Sequence, residues 1–168
     1  PMNQLLTAQT TDQIEDNIAR YYTVNQQLQA MPFNSSTPVL YYNKGLVEQL
    51  GLTPLPQDPS YTDVLHLAKA ITDKTGGQTK GMTIEAYGWL FEELTANQNQ
   101  LLANHDNGRA AGQYATKFNL NTPAAKRLMQ FMTQAIQDKS FVNYGAGDIA
   151  EANQQTAFLA GKLGIFMQ

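Results

Sequence analysis

The run from Met31 to Lys44, Met-Pro-Phe-Asn-Ser-Ser-Thr-Pro-Val-Leu-Tyr-Tyr-Asn-Lys, constrains the fold most, because it sets loop, strand and helix in order within a few residues. Asn34, Ser35, Ser36 and Thr37 are short polar side chains that favour turns and offer hydrogen bonds. Pro32 and Pro38 clamp both sides and remove two backbone donors. Val39 to Tyr42 is a β-branched and aromatic run that reads as a buried strand. Asn43 then has the place of an N-cap for a helix over Lys44–Leu50. Polar groups held beside a buried strand are what a small-ligand site requires, and also what an ordinary connection looks like.

Composition narrows the function classes. The chain has 168 residues, enough for one domain or parts of two lobes, and 42% of them are hydrophobic, enough for a core. Charged residues make up 15%, below the usual quarter, with asparagine and glutamine in their place. The net charge of −3 and pI near 5.3 argue against a nucleic-acid partner. The absence of cysteine removes disulfides and thiol chemistry. No apolar run reaches the roughly twenty residues of a membrane-spanning helix, and Pro1-Met2-Asn3-Gln4 does not have the form of a secretory leader.

Along the chain, Asp12 and Glu15 have capping-box spacing and predict a helix with Ile14, Ile18 and Tyr21 or Tyr22 on one face. Gln26 to Met31 reads as strand-like. The helix after Asn43 carries Leu46, Val47 and Leu50 inward and stops at Gly51. Ser60 with Asp63 caps a further helix, on which Tyr61, Val64, Leu65, Ala68 and Ile71 form the buried stripe. Gly76-Gly77 breaks the chain before a strand at Lys80–Ile84, and Glu85 to Leu94 is a strand-to-helix junction. Leu101–Gln113 reads as a loop with room for a small hairpin. Thr122 and Pro123 open the clearest helix, with Leu128, Phe131, Met132, Ala135 and Ile136 on its core face. Asp148 with Glu151 caps the last helix, ending at Gly161, and Leu163–Met167 is an apolar strand. The order of elements is helix-rich α/β.

Met31–Lys44 resembles a segment of the extracellular solute-binding proteins that feed ABC importers, and within them the subgroup that binds glycerol 3-phosphate and related glycerophosphates. Phe158–Met167, a helix ending in Gly-Lys followed by a strand, is similar to the same family. The resemblance implies part of a two-lobe, periplasmic-binding-protein-like fold, read from an internal fragment. Residues 1–31 would be the helix and strand at the lobe crossing, and 32–168 most of one ligand-binding lobe. It also implies a small-molecule solute, a sugar or glycerophosphate, as ligand, and an ABC permease in the membrane as partner. The implied location is extracellular or periplasmic, with or without a lipid anchor, and no cofactor is implied.

The resemblance also nominates residues. Ser36 matches the family position that hydrogen-bonds the ligand, with Ser35 and Asn34 beside it; an ST-turn serving only the backbone is the plainer reading. Trp89 matches the second of two tryptophans that the glycerophosphate binders carry; the first falls near Ala86, with Tyr87 alongside. An indole packs on the C–H face of a sugar or glycerol and offers one donor, but it also fills a core well. Glu85 sits at the same junction and could accept from a ligand hydroxyl, whereas it would repel a phosphate. Tyr61 stands where the family often has a tryptophan.

Two other classes compete with a binding protein. A carbohydrate-active enzyme would use Glu85, Glu92 or Glu93 as acid and base; neighbours on a helix point about a hundred degrees apart, so Glu92 and Glu93 cannot face each other across a bond. A helical interaction domain would need no small ligand. His66 and His105 are too isolated for a zinc site, and no hydrolase or phosphate-loop motif is present. Arg20, Arg109 and Arg127 are the arginines from which a phosphate partner would come, unless it lies outside this chain. The sequence therefore points to solute binding without catalysis.

Overall fold

A computed structural model describes residues 1–168, apart from the side chains of Asn3 and Gln9. The chain divides into two compact units. One comprises Pro1–Thr37 and Asn99–Leu120, the other Pro38–Gln98 and Asn121–Gln168.

The second unit is built on a three-stranded sheet. Its order is β3 (Leu40–Tyr42), β5 (Leu163–Met167), β4 (Lys80–Ile84). β5 runs parallel to β4, with Lys80 opposite Leu163 and Ile84 opposite Met167, and antiparallel to β3. β4 also gains a one-residue bridge to Phe141, supported by the Thr83 hydroxyl donating to the Val142 carbonyl at 2.7 Å. β5, in the middle, is buried from Leu163 to Phe166. The expected burial of Val39–Tyr42 does not hold: β3 is an edge strand, and Val39 and Tyr41 are each 47% exposed. With β5 as its only sheet partner, Tyr41 is covered mainly by stacking on Phe166, 4.7 Å between ring centres.

Helices cover the sheet. α3 (Lys44–Gln49) starts where Asn43 accepts the Leu46 N–H at 2.9 Å, and Gly51 follows its end with φ +63°. α4 (Tyr61–Lys74) opens with a full capping box: the Asp63 N–H donates to Ser60 Oγ, and the Ser60 N–H donates to Asp63 Oδ2 at 2.8 Å. A cap is worth about 1 kcal/mol, whereas full burial of a valine, leucine or isoleucine is worth roughly 1.5–3 kcal/mol. Capping therefore decides where α4 begins, and the burial of Val64, Leu67 and Ile71 decides that it forms.

The Asp63 carboxyl lies below its ordinary pKa, chiefly because the Ser60 hydroxyl donates to it and then because the Ser60 backbone N–H does. Its folded value is below its unfolded one, so its contribution is present above the ordinary carboxylate range and is lost as pH falls through the lowered folded value. Chemical denaturation of Asp63→Asn across that acid range is expected to show a shallower loss of stability than the unmodified protein. An unchanged slope would contradict this coupling.

α4 lies unusually close to the sheet. A Cβ added at Gly81 would fall 2.0 Å from the Ala68 carbonyl oxygen, and one added at Gly164 would fall 2.6 Å from Ile71 Cδ1. The contact is tied by Thr72, whose buried hydroxyl donates to the Ala68 carbonyl at 3.1 Å and accepts the Gly81 N–H at 2.9 Å. α7 (Pro123–Gln137) packs beside α4 after a cap in which Thr122 accepts the Ala125 N–H at 3.1 Å. Phe131 stacks on Tyr61, 4.5 Å between centres, and burial raises the Tyr61 phenol above its usual pKa. The expected place of Ile136 in this core is corrected: it is 57% exposed. The buried stripe instead runs through Ala124, Ala125, Leu128, Phe131 and Ala135, which leaves Ile136 about a hundred degrees round the helix.

The first unit has shorter elements. After a 3₁₀ turn at Met2–Gln4 come α1 (Ala8–Thr11) and α2 (Asp16–Tyr21). Asp12 is not a helix N-cap as its spacing predicts. Residues 7–11 form a helical turn ahead of it, and Asp12 closes that turn by donating its N–H to the Ala8 carbonyl. β1 (Thr23–Val24) and β2 (Gln27–Leu28) form a hairpin whose two turn residues, Asn25 and Gln26, both have positive φ. The strand-like stretch expected over Gln26–Met31 is thus confined to Gln27–Leu28. Between 99 and 120 the chain folds back on itself at α6 (Asn104–Gly108), a left-handed turn with φ of +56°, +54° and +52° at His105, Asp106 and Asn107. Asn104 Oδ1 closes it by accepting from the Thr116 and Lys117 backbones.

Candidate functional site

In the second unit the parallel strands β4 and β5 end side by side, and the carboxyl ends of parallel strands are where open α/β sheets hold ligands. The chain leaves β4 as Glu85-Ala86-Tyr87 and enters α5 (Gly88–Ala96). Its path is fixed by three backbone groups. The Ala86 N–H donates to the Gly145 carbonyl at 3.0 Å, and the Tyr87 N–H donates to the Glu85 carbonyl at 2.8 Å. The Glu85 carboxylate accepts the Gly147 N–H at 2.6 Å, a charge-assisted contact.

That last bond corrects the expected role of Asp148. Helix α8 (Asp148–Leu159) has Gly147 as its N-cap, at φ +83°, a conformation glycine tolerates and a side chain resists. Asp148 is already the first helical residue, so the carboxylate at this helix start comes from Glu85, sixty-two positions earlier. Asp148 and Glu151 then occupy the first turn, where negative charge is favoured by the helix dipole.

Two aromatic rings stand on this end. Trp89, in the first turn of α5, is half-buried against the core, and Tyr87 is 53% exposed. Their ring centres are 6.1 Å apart, with the planes tilted by 47°. At the end of β5, Gln168 is held by main-chain bonds in both directions with Val39, 2.8 and 3.1 Å. Its amide nitrogen donates to Glu151, and its Oε1 accepts from Gln155 at 3.1 Å. Tyr144, half-buried in the adjoining loop, has its phenol raised above the usual pKa by burial. Glu92 and Glu93 occupy successive positions of α5.

Met31–Val39, which lies in the first unit as far as Thr37, runs without a hydrogen-bonded turn or bend. The tight loop expected there is replaced by extended chain, as Pro32 and Pro38 each bias the preceding residue to that conformation. Asn34, Ser35 and Ser36 are exposed, and among the described residues none hydrogen-bonds their side chains, so no ST-turn forms. Asn34 and Ser35 line an open depression of about 350 Å³ with Ile14, Ile18 and Met31. Arg109 in this unit packs over the Tyr21 ring, 4.1 Å from its centre, and donates from Nε to the Tyr21 carbonyl. Arg127, in the second unit, donates from Nε to Gln98 Oε1 at 2.8 Å. Among the described residues no group of three or more His, Asp and Glu side chains has metal-binding geometry.

The sequence marks Glu85, Tyr87 and Trp89 as neighbours, and the structure keeps them together at one strand end. It does not mark Gly147 or Gln168. Asn143-Tyr144-Gly145-Ala146-Gly147 is legible as a turn, but nothing local says that it meets residue 85.

A sequence-family model described as bacterial extracellular solute-binding protein matches residues 2–168. The sn-glycerol-3-phosphate-binding periplasmic protein of Agrobacterium fabrum is 30% identical over 153 residues, 90% of this chain and 33% of that protein. Its namesake from Yersinia pestis is 31% identical over 134 residues, 78% of this chain and 30% of that one. The chain thus spans about a third of the length of these curated relatives. Among solved structures, UgpB from Mycobacterium tuberculosis in complex with glycerophosphocholine has a TM-score of 0.67 at 21% identity, over 99% of this chain and 39% of that one. The GacH receptor of Streptomyces glaucescens, known unliganded and with acarbose, has a TM-score of 0.69 at 21% identity, over 97% and 38%. The fold is α/β and part of the two-lobe architecture of ABC substrate-binding proteins, as the family resemblance of the sequence implies.

Proposed function

We propose, from the premise that this chain belongs to the bacterial extracellular solute-binding protein family, that it is part of a receptor delivering a small polar solute to an ABC permease. The solute is a sugar or a glycerophosphate, as the names of the relatives suggest. The receptor works outside the cytoplasmic membrane and performs no catalysis. The observation that carries this reading is the Tyr87–Trp89 pair at the carboxyl end of β4, beside a glutamate held by the N-cap of α8. Tilted aromatic planes cover the C–H face of a ring or chain, while carboxylate and amide groups replace the water lost by its hydroxyls. Capture and closure are then one free-energy difference, because a ligand shifts the receptor only by favouring its closed form.

Candidate contacts lie within each unit taken by itself, Trp89, Tyr87 and Glu85 in the second and Asn34, Ser35 and Ser36 in the first. The full-length protein is expected to rise in melting temperature with sugars or glycerophosphates, in proportion to occupancy. Trp89→Ala is expected to weaken the tightest of those ligands by about tenfold or more, as for a central aromatic contact. Trp89→Phe, which keeps a ring, loses less. Titration calorimetry separates the cases, and unchanged affinity in Trp89→Ala would remove the indole from the site. Ser36→Ala tests the other unit in the same way.

A further inference from the structure

Resting on the receptor reading above, we propose that Glu85 is a specificity-determining residue: it makes the carboxyl end of β4 and β5 accept an uncharged, hydroxyl-bearing face of the solute and reject a phosphate group.

The first ground is charge. Residues 85–90, 143–151 and 167–168 build this end, and they contain Glu85, Asp148 and Glu151 but no lysine, arginine or histidine. The lysines of the sheet lie at its other end. Lys80 begins β4, Lys162 precedes β5, and Lys139 precedes the bridge at Phe141; the Lys80 N–H donates to the Lys162 carbonyl at 3.0 Å, and its Nζ to the Lys139 carbonyl at 3.2 Å. A phosphate approaching the Tyr87–Trp89 pair meets carboxylates first, and like charges brought together at an interface are strongly unfavourable.

The second ground is that a carboxylate already occupies one donor at this end, the Gly147 N–H. Helix starts ordinarily hold anions through their free N–H groups. At the start of α8 the N-cap N–H of Gly147 donates to Glu85 Oε1 at 2.6 Å, so an anion at this helix start would sit against a carboxylate. The side-chain amides nearby also serve protein acceptors, as Gln168 donates to Glu151 and Gln155 to both Glu151 and Gln168. Arg127 of the same unit is engaged by Gln98. The aromatic pair together with these acceptor oxygens is a combination that suits C–H faces and hydroxyl donors.

Calorimetry on the full-length protein with glycerol 3-phosphate tests this, using the unmodified protein, Glu85→Gln and Glu151→Gln. Glutamine keeps an acceptor for the Gly147 N–H while removing the charge, and circular dichroism checks each fold. The expected result is millimolar or weaker binding of glycerol 3-phosphate by the unmodified protein, and at least about a tenfold gain in Glu85→Gln. Maltose and trehalose, measured alongside, are expected to change by less than about threefold. Should Glu85→Gln fail to fold, the gain is read from Glu151→Gln, whose carboxylate lies at the same end. Micromolar binding of glycerol 3-phosphate by the unmodified protein overturns this inference and leaves the receptor reading standing. Weak binding with no gain in a folded variant overturns the role of the carboxylate. Silence of every sugar and glycerophosphate in all three proteins removes the receptor reading itself.

Discussion

Gly81→Ala is expected to cost about 3 kcal/mol or more of folding stability, the upper end of what overpacking a core exacts. The added methyl would sit 2.0 Å from the Ala68 carbonyl oxygen, a backbone atom that can yield only if α4 moves as a whole. Lifting α4 would also break the Thr72 hydroxyl's two bonds, to Ala68 and Gly81, and expose Ile71, which is fully buried. Urea denaturation followed by circular dichroism reads the loss. Gly88→Ala is the control, since a Cβ there meets no atom within 4 Å, and its midpoint is expected to stay put or rise slightly. Equal midpoints for the two variants would show that α4 does not approach the sheet as described.

Phe131→Ala is expected to destabilise by about 3–5 kcal/mol, the range for deleting a large buried side chain and leaving a cavity. Phe131 is 3% exposed on the core face of α7, and its ring lies nearly flat on Tyr61 at the start of α4. Tyr61 loses its stacking partner in the variant, so the junction of α4 and α7 loosens. Phe131→Leu keeps most of the volume and should recover more than half of the loss. The Tyr61 phenol gives an independent reading, because its pKa is raised by burial and should fall towards the ordinary value once Phe131 is gone.

Where signals are local, sequence and structure agree residue by residue. Asn43, Ser60 with Asp63, and Thr122 with Pro123 all start helices as their chemistry requires, and Lys80–Ile84 and Leu163–Met167 are strands over the expected bounds. The same capping chemistry misleads at Asp12 and Asp148. A residue can begin a helix only if its neighbours leave it free to do so, and there a preceding helical turn and a distant glutamate intervene. Of the candidate site, sequence marks the aromatic pair and Glu85, which are adjacent. It gives no sign of Gly147 or Gln168, because their meeting with residues 85 and 39 depends on how strands order themselves in the sheet. The approach of Ala68 to Gly81 is hidden for the same reason: a glycine in a strand says that something comes close, never what.

β5 governs how the second unit comes together. The strand that joins the sheet is encoded after both of its neighbours, so β3 and β4 have no common partner until Leu163–Met167 is added. A growing polypeptide that has emerged only as far as α8 holds two unmated apolar strands, and such edges invite association with other chains. For this part of the protein the exposure ends only when Leu163–Met167 takes its place between β3 and β4.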